Sequence, residues 1–93
     1  MQNLTVDDFS GKIGTSYEVL IDGGAVPVKL AEFQPLPSAG REGGSFRLEF
    51  LGPMDPVVPQ GIHRFRRRDD VVEIFIVPIA RAPDGTRYEA VFF

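Results

Sequence analysis

Ser16-Tyr17-Glu18-Val19-Leu20-Ile21-Asp22-Gly23-Gly24-Ala25-Val26-Pro27-Val28-Lys29-Leu30 carries the clearest structural signal in the chain. Tyr17, Val19 and Ile21 fall on one side of an extended backbone, and Glu18 and Asp22 on the other. Val26, Val28 and Leu30 repeat the alternation. A period of two marks a strand with one buried face. Asp22-Gly23-Gly24 sits between the two runs and tolerates positive φ, so the stretch predicts a β-hairpin.

The same pattern extends in both directions. Phe33 breaks the parity of Val26, Val28 and Leu30, and a bulge near Ala31 or Glu32 would return its ring to the core. Residues 35–44, with two prolines and three glycines, read as a flexible connection. Phe46, Leu48 and Phe50 mark a third strand with Arg47 and Glu49 outward, ended by Gly52-Pro53. The prolines of 53–61 exclude a central strand, while Met54, Val57 and Val58 give this loop apolar groups to pack.

Ile62–Arg68 predicts a fourth strand, with His63 and Phe65 on one face. Arg64 and Arg66 take the other face, Arg68 continues their row, and Asp69-Asp70 makes the turn. From Val71 to Val77 both faces are apolar: Val72, Ile74 and Ile76 on one, Val71, Phe75 and Val77 on the other. Such two-sided hydrophobicity suits a central strand or one beneath a subunit contact. Pro83-Asp84-Gly85 marks a turn before Tyr88, Ala90 and Phe92. Upstream, Thr5 and Asp8 form a helix cap, and Gly11 and Gly14 confine that helix to one or two turns across an open end of the core. The expected fold is all-β: a compact six-stranded antiparallel barrel or sandwich with a short N-terminal helical turn, in a single domain over residues 1–93.

Several pieces carry a family resemblance. They include Leu51-Gly52-Pro53 with Pro59-Gln60-Gly61, Ile76-Val77-Pro78, and the closing Arg87-Tyr88-Glu89-Ala90-Val91-Phe92. Over nearly its whole length the chain resembles a family of small bacterial domains, the domain-of-unknown-function family numbered 6916. The resemblance implies no activity and no binding residues. Its association with phage-tail-like and tail-collar systems points toward a structural role. The tract Arg64-Phe65-Arg66-Arg67-Arg68 is more basic than the family's usual pattern.

Composition narrows the chemistry. The chain lacks cysteine, which excludes disulfides, thiolate catalysis and cysteine metal sites, and it has one histidine. At 93 residues it buries roughly 60–65% of its unfolded surface, enough for one core but not for a large enclosed site. The start of the chain does not read as a secretory signal, and no apolar run is long enough for a membrane helix, so the expected location is cytoplasmic without membrane insertion. The net charge of -3 disfavours a general nucleic-acid partner.

His63 is the candidate general base or metal ligand, though its parity with Phe65 suits a packed ring with one hydrogen bond. Gly40-Arg41-Glu42-Gly43-Gly44 lacks the lysine and hydroxyl of a phosphate-binding loop. No catalytic, cofactor or metal residues are therefore assigned. Arg64, Arg66 and Arg68 are candidates for an anionic partner, or for cross-strand pairing with Glu49, Glu73 or Asp70. Phe75, Val77, Val91 and Phe93 are the candidate interface. The expectation is a non-enzymatic structural or protein-interaction module of a larger assembly, joined to another protein or to further copies of itself. The alternatives are a polyanion- or carbohydrate-binding module and a small metal-assisted hydrolase.

Overall fold

A computed structural model describes residues 4–37 and 44–92. The alternating runs become six strands: β1 (Ser16–Ile21), β2 (Gly24–Leu36), β3 (Ser45–Gly52), β4 (Gly61–Arg67), β5 (Asp70–Ala82) and β6 (Gly85–Phe92). A one-turn helix, α1 (Val6–Phe9), precedes them. All neighbours are antiparallel, and the order β1-β2-β3-β6-β5-β4 closes on itself as β4 pairs back to β1. Three consecutive strands followed by a fourth that returns beside the first is the Greek-key arrangement. The barrel form, one of the two expected, gives every strand a neighbour on both sides and leaves an edge only where β2 and β5 outrun their partners.

Local chemistry explains the register. Asp22-Gly23 forms the β1–β2 turn, with Gly23 at φ 81°, and the strands meet at Ile21↔Gly24. A register shift between Leu30 and Glu32 turns Phe33 inward against the core, as its broken parity predicted. A second shift falls between Pro78 and Ala80, just past Ile76, where the ladder of β5 with β4 ends.

The inward residues of all six strands form one core. Val19, Val26, Leu30, Phe46, Leu48, Phe50, Phe65, Ile74, Ile76 and Tyr88 are sealed from solvent. Both ends are plugged. At one end Phe9 of α1 lies against Phe46 and Phe92, with ring centroids 5.6 and 6.2 Å away. The Thr5 N–H donates to the Asp8 carboxylate at 2.7 Å and holds that turn in place. At the other end Val58, in the connection between β3 and β4, is buried, and its N–H donates to the Tyr88 hydroxyl at 2.8 Å. Thr86 is also fully buried, and its hydroxyl has no hydrogen-bond partner among the described residues.

Four expectations need correction. β2 runs through Pro35 to Leu36, so the connection starts later than residue 35; past Leu30, whose N–H donates to the Thr15 carbonyl and whose carbonyl accepts from the Gly14 N–H, its β1 side has no ladder partner among the described residues, and proline is tolerated there. The rest of that connection, 38–43, lies outside the described residues. The β4–β5 turn is Arg68-Asp69, not Asp69-Asp70, because Arg67 pairs directly with Asp70. Arg68 therefore leaves the strand and takes the positive φ (59°) that a tight hairpin loop asks for. Of the apolar groups in the 53–60 loop, Val58 packs inward while Met54 and Val57 remain exposed.

Candidate interaction surface on the outer wall

Period two on β5 sends Val72, Ile74 and Ile76 into the barrel and Val71, Glu73, Phe75 and Val77 outward. Closing the barrel fills the interior from six strands, and among the described residues no second layer covers the outward side of β5. Phe75 is 50% exposed, Ile79 44%, and Val71 and Val91 38% each. On β4, Ile62 pairs directly with Phe75 and is 67% exposed. On the other side Val77 pairs with Glu89 of β6, which sets Phe75 and Val91 on the same face one pleat further along. Ile62, Phe75, Val77 and Val91 thus stand on three adjacent strands of one outer wall.

Three of the four interface residues expected from sequence, Phe75, Val77 and Val91, are brought together there. Phe93 lies outside the described residues. Ile62 was missed, although its parity with Arg64 and Arg66 was the available signal. Val77 is half-buried, so Phe75 and Ile62 supply the most prominent apolar groups.

The arginine row separates into three environments. Arg66 donates twice to Glu18 on β1, at 3.1 and 2.8 Å, and fastens the seam where the barrel closes. Its partner is none of the three carboxylates expected, because β4 faces β1 on that side and Glu18 stands opposite Arg66. Arg68 is in the turn. Arg64 lies directly opposite Glu73 on β5, yet no hydrogen bond or ion pair joins either side chain to a partner among the described residues. Both are exposed, and both adjoin the Ile62–Phe75 pair.

The outer wall of β3 and β6 is built differently. Arg47 bonds Glu89 and, at 2.8 Å, Glu49; Arg87 approaches Glu49 at 3.6 Å and Asp84 at 3.2 Å. Hydrogen bonds to Glu89 and Glu49 hold the Arg47 guanidinium above its already high ordinary pKa. Glu49 is buried beneath these cations.

His63 is half-buried at the mouth of the barrel. Its Nε2 lies 2.7 Å from the Pro59 carbonyl, which can only accept, so that nitrogen carries the proton. The ring anchors the β3–β4 connection to β4. Among the described residues no group of three His, Asp or Glu side chains is placed to hold a metal ion, and no helix is long and apolar enough to cross a membrane. At the α1 end, Tyr17 lines a shallow cavity of about 170 Å³ with Asp8, Lys12 and Arg67. Burial pushes the Tyr17 phenol above its ordinary value, with Arg67 opposing and Asp8 adding to the shift.

The family model described as "Domain of unknown function (DUF6916)" matches residues 4–92, and the chain belongs to that family. No curated protein and no solved structure matches the chain.

Proposed function

We propose that this domain is a non-enzymatic protein-interaction module whose outer β4–β5–β6 wall docks it into a larger assembly. One observation carries the reading: Phe75 and Ile62, directly paired, stand 50% and 67% exposed on a rigid strand pair while the core beneath them is complete. Half of Phe75 is still open to solvent, and covering it by a partner would gain about 1 kcal/mol, roughly half the value of burying a whole aromatic side chain. Arg64 and Glu73 at its side supply the polar rim that fixes orientation.

Phe75→Asp tests this. Tagged wild-type protein should retain bound companions, its own copies included, that the variant loses while its circular dichroism spectrum stays that of the folded barrel. A folded Phe75→Asp protein that keeps the same companions overturns the reading, as does a variant that unfolds, because Phe75 would then belong to the core.

A further inference from the structure

We infer that the occupant of this wall is a second copy of the same chain, related by a two-fold axis that runs parallel to β4 and β5 and between them. The inference rests on the docking reading above and adds the partner and its geometry.

A two-fold interface is self-complementary: if one residue meets another across it, the second meets the first. The β4–β5 wall has that property along one line. Its outward pairs are Ile62↔Phe75 and Arg64↔Glu73, an apolar pair beside a pair of opposite charges. An axis between the strands exchanges them. Phe75 then lies on Ile62 of the second copy, and Arg64 meets Glu73 of the second copy, twice over.

The competing axis lies in the same interface but runs across the strands at the level of Phe75. It would set Phe75 on Phe75 and Ile62 on Ile62, and would carry Glu73 to the level of Val77, which pairs with Glu89. Both Arg64 side chains would be left without a carboxylate. Charge therefore selects the strand-parallel axis.

The state of the two charges supports this choice. Cross-strand opposite charges stabilise a sheet by pairing with each other. Arg64 and Glu73 stand directly opposite yet unjoined, while Arg47, Arg66 and Arg87 each reach a carboxylate. Packed sheets lie about 10 Å apart with strands inclined by roughly 30°, which sets the axis within about 15° of the strand direction. On a convex barrel wall contact falls away from the axis, so Val77 and Val91 sit at the rim and the dimer is concentration-dependent.

The test uses Arg64→Glu and Glu73→Arg, measured by light scattering over a concentration series with circular dichroism to check folding. Each variant alone places like charges against each other in both contacts, so each should remain near 10.3 kDa where the wild type approaches twice that mass. Mixed one to one, the variants form complementary contacts at both sites, and the mass should rise to the dimer value. Repulsion within one protomer is unchanged by mixing, so recovery on mixing reports a contact between copies. A dimer that both variants keep, or monomeric variants that do not recover on mixing, overturns the arrangement. A wild type that is monomeric throughout overturns the second copy as occupant, while the docking reading is judged separately by Phe75→Asp.

Discussion

Across β3 and β6 the outer wall carries Arg47, Glu49, Arg87 and Glu89 in a connected set of ion pairs. One strand further round, across β5 and β4, it carries Phe75 and Ile62 in solvent beside Arg64 and Glu73, which face each other and do not join. Both walls cover the same core with the same pleat. On the first, each charge is met within the protein, and the buried Glu49 carboxylate lies against two arginines. On the second, neither the apolar nor the charged groups are met. Exposed side chains that the described residues leave uncovered are available for recognition.

Substitutions can break or sharpen that contrast. The largest effect belongs beneath both walls. Phe65 is sealed in the core, with the Phe50 ring centroid 4.9 Å away, so Phe65→Ala should cost about 3–5 kcal/mol by denaturant unfolding. A loss below about 1 kcal/mol would mean that the barrel interior is loosely packed. Next comes the connected wall. Arg47→Ala leaves the buried Glu49 carboxylate with Arg87 alone at 3.6 Å and should cost about 2 kcal/mol. A neutral result would erase the distinction between the two walls.

Smaller effects follow. Arg66→Ala removes an exposed ion pair at the β1–β4 seam and should cost about 0.2–1 kcal/mol, decreasing with salt. For the open wall, Phe75→Asp should cost the monomer up to about 1 kcal/mol, through the lost cross-strand contact with Ile62 and lower strand propensity, and leave it folded.

Alkali probes the interior independently of either wall. Burial raises the Tyr17 phenol above its ordinary value of 10.0, so the folded state favours the neutral ring. Stability from this residue is fully present below pH 10 and is lost as pH rises through the folded pKa. Tyr17→Phe should flatten that decline in a titration of unfolding free energy. An unchanged slope would assign the decline to another group.

Much of the fold was legible because alternation is a local property. Tyr17, Val19, Val26, Val28 and Leu30 each sit on the side their parity assigns, and the turn lies at Asp22-Gly23. Even the bulge before Phe33 left a mark, since a one-residue slip inverts every later side chain. Closure of β4 onto β1 was not legible, because pairing between strands more than forty residues apart leaves no periodic trace in either. The same gap hid the Arg66–Glu18 pair.

The candidate surface was readable in part. Two-sided hydrophobicity in β5 exposed Phe75 as surplus, but its apolar partner Ile62 stands on a strand dominated by arginines and drew no notice. That Arg64 and Glu73 stay apart depends on side-chain placement, which residue spacing does not encode.

The most direct test of the docking wall is the solution mass of the wild type and of Phe75→Asp, measured by light scattering over the same concentration series. The wild type should rise from 10.3 kDa toward twice that value, and the folded variant should stay at 10.3 kDa. A folded variant that rises in step with the wild type would contradict it.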